Sequence, residues 1–124
     1  MLSEDLEMKA HHKIDYVEFP SADLEKTKAF FSKAFGWQFE DFGPEYTSFG
    51  DEGLYGGFYK ADSASKPANG AALIVLFSDD LEASQHAVEN AGGVIVTESF
   101  DFPGGRRFHF TEPMGNEFAI WSET

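Results

Sequence analysis

The chain of 124 residues contains no cysteine. This absence excludes disulfide bonds, metal sites built on thiolates and a cysteine nucleophile. No apolar run approaches the roughly 20 residues that a membrane-spanning helix needs, and no basic segment followed by an apolar one opens the chain. We therefore expect a soluble cytoplasmic protein that has no membrane partner.

Basic residues are scarce: nine Lys and Arg stand against 22 Asp and Glu, which gives a formal net charge of −13. Binding to a polyanion needs clustered Lys and Arg, so nucleic acid is not an expected partner. The acidic surface has two interpretations, a solubility feature and a field that attracts a cationic ligand.

Apolar and aromatic residues are abundant. They make up 42% and 16% of the chain, with 14 Phe, which is enough for one hydrophobic core and a lined cavity. At this length we expect one compact domain.

The spacing of apolar residues predicts the order strand, helix and three strands, twice over. One helix begins near Asp23 and stops at Gly36, and the other begins at Asp79-Asp80 and stops at Gly92-Gly93. The predicted strands cover residues 13–20, 37–42, 45–49, 54–59, 71–77, 94–98, 106–111 and 117–122.

The two halves repeat in register. Asp23-Leu24-Glu25 and Asp80-Leu81-Glu82 lie 57 positions apart (23 to 80), and so do Gly36 and Gly93 (36 to 93). A period of about half the chain indicates duplicated units that pack against each other. We predict an α+β fold with a flexible N-terminal segment (1–12), a first βαβββ module (13–60), a linker (61–70) and a second βαβββ module (71–124), as one compact domain (13–122).

Three segments carry a family resemblance: Asp-Leu-Glu-x-x-x-x-Phe-Phe at 23–31, Phe-Gly-Trp at 35–37 and Glu-Pro-Met-Gly-Asn-Glu-Phe at 112–118. Together they resemble the vicinal oxygen chelate superfamily, which includes glyoxalase I, bleomycin-resistance proteins, extradiol dioxygenases and fosfomycin-resistance proteins. The resemblance implies modules that curl their sheets around a shared cavity, and a homodimer in which modules pack across chains.

In metal-dependent members the resemblance implies four ligands, one in the first and one in the last strand of each module. The matching positions here hold Tyr16, Leu73, Ala119 and, near its counterpart, Gly57. None is an imidazole or a carboxylate, so we predict no metal and no cofactor. A register shift of one or two residues would bring Glu18 or Glu117 toward the site.

Strand alternation assigns the cavity face. Apolar residues at 17, 19, 74, 76, 118 and 120 are expected under the helices, and the opposite face lines the cavity or simply fills it as core. The predicted ligand-binding residues are Tyr16, Glu18, Tyr55, Gly57, Leu73, Phe77, Arg107, His109, Ala119 and Trp121.

Two basic positions have alternative interpretations. Arg106 and Arg107 either clamp a carboxylate or pair with acids on the surface. His109 is either an acid-base group or a structural hydrogen-bonding residue.

The expected function is a small-molecule-binding protein similar to the bleomycin-resistance branch, which sequesters or senses an aromatic or cationic organic ligand without a metal. The alternative is a metal-dependent lyase, isomerase or dioxygenase that acts on a substrate with vicinal oxygens. A third possibility is a metal-free enzyme that uses His109 or Glu18 as its base.

Overall fold

The computed structural model describes residues 9–124, so most of the predicted flexible segment, residues 1–8 of 1–12, lies outside the described residues. The elements follow the predicted order. They are β1 (Tyr16–Ser21), α1 (Leu24–Phe35), β2 (Phe39–Asp41), β3 (Tyr46–Glu52), β4 (Leu54–Lys60), a 3-10 helix (Pro67–Asn69), β5 (Ile74–Phe77), α2 (Leu81–Asn90), β6 (Val94–Phe102), β7 (Gly105–Thr111) and β8 (Glu117–Ser122). None of the described helices has the length and apolar character needed to cross a membrane.

The strands form two four-stranded sheets with the same order, β1-β4-β3-β2 and β5-β8-β7-β6. In each sheet the first and last strands of the module are parallel neighbours, and the other pairs are antiparallel. The predicted α+β fold of two tandem βαβββ modules is confirmed. The two sheets remain separate and do not close into one barrel.

Both helices begin and end where the sequence predicts. Asp23 caps α1 by accepting a hydrogen bond of 3.2 Å from the Lys26 amide, and Asp80 caps α2 by accepting one of 3.1 Å from the Ala83 amide. Each cap satisfies an amide that the first helical turn leaves unpaired. Gly36 ends α1 with φ of 75°, a left-handed conformation that favours glycine.

The repeat extends to hydrogen bonds between side chains. The Ser21 and Thr27 hydroxyls lie 2.8 Å apart at the start of α1, and the Ser78 and Ser84 hydroxyls lie 2.6 Å apart at the start of α2. Each serine of the second pair lies 57 positions after its counterpart (21 to 78, 27 to 84). The duplication therefore includes the polar contacts that fix each helix to its strand.

The core lies where the alternation of the strands predicts it, on the helix side of both sheets. Phe19, Phe118 and Ile120 are buried, and the other predicted core positions, 17, 74 and 76, pack against them partly buried. The rings of Phe19 in the first module and Phe118 in the second are 5.0 Å apart between centroids. Both modules therefore share one aromatic core.

Several strand ends differ from the prediction, among them those of β5 and β6. Strand β6 runs to Phe102, beyond the predicted end at residue 98, because it forms a hairpin with β7 in which Phe102 pairs with Gly105. Strand β5 begins at Ile74 and not at the predicted residue 71. Residues 71–73 form a connection between the 3-10 helix and the strand. The longer β6 carries two more phenylalanines, Phe100 and Phe102, into the second sheet.

The turn between β7 and β8 has one predicted feature and one unpredicted feature. Gly115 has φ of 97°, as expected for a tight turn. Asn116 is also of a residue type that accepts positive φ, but it does not adopt one here. Its buried amide instead donates to the Pro20 carbonyl at 2.7 Å and accepts from the Ser65 amide at 2.7 Å.

Glu112 is the buried centre of the same turn. Its carboxylate accepts hydrogen bonds from the Thr27 hydroxyl (3.2 Å), the Met114 amide (2.8 Å) and the Asn116 side-chain amide (2.7 Å). Thr27 belongs to α1 of the first module, so this network joins the two modules. Burial raises the pKa of Glu112 above its ordinary value of 4.5, because desolvation disfavours the charged carboxylate and outweighs the hydrogen bonds.

This raised pKa predicts a pH dependence of stability. A carboxyl group with a raised pKa in the folded state contributes stability that is fully present below its unfolded pKa and is lost as the pH rises through the folded pKa. Relative to the Glu112→Gln variant, the wild-type free energy of unfolding should therefore decrease as the pH rises from 4.5 toward neutrality. Urea denaturation across this range measures the difference, with Glu123→Gln as the exposed control. A wild-type advantage that is constant or grows with pH would contradict the prediction.

Candidate functional site

The ten predicted site residues fall into two groups, one on each sheet and away from the helices. Four lie on β1 and β4 of the first sheet. The other six lie on β5, β7 and β8 of the second sheet or, for Leu73, immediately before β5. Both groups are open to solvent, since Tyr16 is 42%, Tyr55 40% and Phe77 54% exposed. The described chain therefore does not enclose these faces as one internal cavity.

The first group surrounds Tyr46 and is called the tyrosine face: Tyr16, Glu18, Tyr46, Tyr55 and Gly57. The Tyr46 hydroxyl donates to Glu18 Oε2 at 2.8 Å, so the Tyr16 hydroxyl, 2.6 Å away, is the donor to Tyr46. Burial, followed by these hydrogen bonds, raises the pKa of Tyr46. Gly57 has to be glycine, because a Cβ there would collide with the Tyr46 hydroxyl.

The second group includes or adjoins four aromatic side chains. We call these four the aromatic face: Phe77, Phe100, Phe102 and Trp121. The Trp121 ring is 5.1 Å from Phe77 and 6.1 Å from Phe102 between centroids, both in edge-to-face geometry. Arg107 places its guanidinium carbon 5.3 Å from the Phe100 centroid and 5.8 Å from that of Phe102. This arrangement joins apolar ring surface to a positive charge.

The structure separates the two neighbouring arginines. Arg106 pairs with Glu82 at 2.8 Å and donates to the Thr124 carbonyl, so the surface interpretation is correct for Arg106. Arg107 points to the opposite face of β7, and its Nε is buried without a hydrogen-bond partner.

His109 lies on the same face of β7 as Arg107. Its Nδ1 is 3.1 Å from Glu117 Oε2, and the two side chains are only 13% and 17% exposed. An ionised carboxylate accepts hydrogen bonds, so Nδ1 is the donor. The other ring nitrogen, Nε2, is buried and has no partner. Arg107 and His109 thus present two unpartnered nitrogen atoms on one strand.

The residues present do not fit the metal that the fold family implies. Gly57 pairs with Glu18 in the first sheet as Ala119 pairs with Val75 in the second, so the two small residues occupy equivalent positions. Ala119 is fully buried and offers no donor. Among residues 9–124 no three His, Asp or Glu side chains converge on one point. The His109–Glu117 pair lacks a third ligand, and a divalent ion needs more than two.

A cleft of about 560 Å³ is lined by residues of both modules. Its lining is mainly apolar and includes Trp37 and Leu54, with the carboxylates of Asp51 and Glu52 also present. Phe77 lines this cleft too, at the edge of β5.

Three residues of the two faces were not predicted from the sequence: Tyr46, Phe100 and Phe102. Tyr46 follows from strand register, because it pairs with Tyr59 across β3 and β4 and alternates with the buried Thr47. The two phenylalanines follow from the hairpin that extends β6. The turn signal Pro103-Gly104 was available to predict that extension.

Comparison with known proteins agrees with this architecture. A sequence model of the Glyoxalase/Bleomycin resistance protein/Dioxygenase superfamily matches residues 13–120. The chain is 30% identical to a glyoxylase-like domain-containing protein of Didymella fabae, over 91% of this chain and 95% of that protein.

Solved structures share the fold at lower identity. A glyoxalase-related enzyme from Fulvimarina pelagi has a TM-score of 0.75 at 15% identity, with 90% of this chain and 88% of that chain covered. TnmS3, an antibiotic binding protein from Streptomyces sp. CB03234, has a TM-score of 0.66 at 20% identity, with 94% and 99% covered. The protein therefore belongs to the Glyoxalase/Bleomycin resistance protein/Dioxygenase superfamily.

Proposed function

We propose that this protein binds a small aromatic organic molecule on its aromatic face, without a metal, and thereby sequesters or senses it. The observation that carries the proposal is the grouping of Phe77, Phe100, Phe102 and Trp121 on a partly exposed sheet surface beside two unpartnered nitrogen atoms. Ligand sites are typically apolar and aromatic with a few placed polar groups. The antibiotic binding protein of the same fold supports a binding role.

The tyrosine face supports the second expected ligand class, organic cations. Glu18 provides a carboxylate between tyrosine rings, and tyrosine faces attract cations. The net charge of −13 would draw such a ligand toward the protein.

We further propose that two copies form a homodimer that covers these faces. Large apolar side chains on both faces are about 40–54% exposed in one chain, among them Tyr55, Val75 and Phe77. Exposed apolar surface of this kind marks interaction sites. Packing the first sheet of one copy on the second sheet of another would enclose the ligand between tyrosine and aromatic faces.

An enzymatic function is the alternative. A metal-dependent lyase, isomerase or dioxygenase has the support of the superfamily and of the glyoxalase-related enzyme with the same fold. The donor set argues against it, and stoichiometric Ni, Zn, Mn or Fe in protein purified without chelators would favour it. A metal-free enzyme with His109 or Glu18 as base has the His109–Glu117 pair as support. For that enzyme, replacing the base should abolish turnover and leave binding intact.

The two tryptophans make the proposed ligand site testable by fluorescence. The probes are 2-naphthol, which is neutral, and 2-naphthylmethylamine, which is cationic. We expect at least one to quench Trp121. Isothermal titration calorimetry, which does not depend on the tryptophan signal, should show an affinity about fivefold lower in Trp121→Ala, because ring contacts contribute on the order of 1 kcal/mol. Phe42→Ala, which removes an exposed aromatic ring outside both faces, should leave the affinity unchanged.

The Trp121→Phe variant locates the bound probe, because Trp37 then provides the only tryptophan signal. If the aromatic face is the site, the remaining emission should not respond to the probe. Quenching of Trp37 would place the ligand in the cleft between the modules instead. No quenching of wild-type protein by either probe would contradict the binding of neutral and cationic aromatic molecules.

The proposed homodimer predicts a particle of twice the 13.8 kDa chain mass. Sedimentation equilibrium should give this mass for wild-type protein. Phe77→Glu should lower the dimer fraction, because it introduces a charge into an apolar face, whereas Phe42→Glu should not. A monomer at all micromolar concentrations would contradict the dimer.

A further inference from the structure

We propose that Arg107 makes the aromatic face selective for aromatic anions: a ligand carboxylate accepts hydrogen bonds from the Arg107 guanidinium while the ligand ring stacks among the phenylalanines and Trp121. This inference rests on the proposed function and names the ligand class of that site. It is distinct from the cation-binding possibility of the tyrosine face, which lies on the other sheet.

Arg107 has no acidic partner among the described residues. Acidic residues outnumber basic ones by more than two to one in this chain. Other cations form ion pairs with them: Lys28 pairs with Glu25 and Asp41, and Arg106 pairs with Glu82. Within the described part of the chain, Arg107 makes no ion pair and lies over the rings of Phe100 and Phe102. Its charge is therefore available to an anion from outside the chain.

One hydrogen-bond donor of Arg107 is buried. Arg107 Nε is buried without a hydrogen-bond partner, and an unpaired buried donor is unfavourable. A guanidinium that stacks on aromatic rings keeps its N–H groups at its edge, in the planar fork that matches a carboxylate. An oxygen from a bound anion would pair the buried donor and balance the charge together.

Arg107 and His109 lie along one face of β7. His109 is two residues from Arg107 on the same face, roughly 7 Å along the strand, and its buried Nε2 is also unpartnered. Glu117 binds the other ring nitrogen of His109, Nδ1. Trp121 pairs directly with Arg107 across β7 and β8.

A pair of probes with the same shape tests the selectivity. We expect 2-naphthoate to bind wild-type protein at least about tenfold more tightly than the neutral 2-naphthamide, as hydrogen bonds to charged groups are the stronger ones. Arg107→Gln should remove this preference by weakening naphthoate binding alone. Arg106→Gln removes the same charge from the other face of the same strand and should leave the preference intact.

Each outcome is decisive. Equal affinities for the two probes in wild-type protein, or a preference that survives Arg107→Gln, would overturn the anion selectivity while the binding function stands. Failure of both probes and of the neutral and cationic naphthalenes would overturn the binding function as well. If Arg107→Gln does not fold, as judged by circular dichroism, Arg107→Lys serves instead. It keeps the charge but loses the planar fork, and should reduce the preference for naphthoate.

Discussion

The buried carboxylate of Glu112 is the contact on which the arrangement of the two modules depends. It accepts hydrogen bonds from Thr27 in the first module and from its own turn, while Asn116 reaches the Pro20 carbonyl and the Ser65 amide. These bonds join the last hairpin of the chain to the first strand, the first helix and the segment between the modules. A buried charged group needs such partners to be tolerated. The segment that most resembles the superfamily therefore has a structural role, and it fixes the register in which β8 presents Ala119 and Trp121.

Duplication supplied the same scaffold twice, and the two faces then acquired different chemistry. Strand pairing makes Gly57 equivalent to Ala119 and Tyr46 equivalent to Arg107, since these residues hold matching positions opposite β4 and β8. One face consequently presents hydroxyls and a carboxylate, and the other presents aromatic rings with a guanidinium and an imidazole. If a second copy brings the two faces together, the enclosed space has Glu18 on one wall and Arg107, with the His109–Glu117 pair, on the other.

Much of the fold was predictable because it follows from local rules. Caps at Asp23 and Asp80, the left-handed Gly36 and the alternation of apolar residues gave the elements, their order and the core side of each sheet. Properties that depend on register between distant strands were not predictable in the same way. Alternation placed Arg107 and His109 on one face and Arg106 on the other, but the positions of Phe100 and Phe102 depend on the extended hairpin, and the ion pair of Arg106 with Glu82 depends on how α2 packs beside β7. That the faces stay open in one chain depends on how the modules pack.

We propose that this member of the superfamily binds its ligand through side chains alone; within residues 9–124 of one chain, no three His, Asp or Glu side chains come together as a metal site. The most direct test is fluorescence titration with 2-naphthol and 2-naphthoate before and after exhaustive treatment with EDTA. We expect unchanged affinity after chelation and no change when Ni, Zn, Mn or Fe is added back. Binding that is lost with the chelator and restored by one of these metals would contradict the proposal.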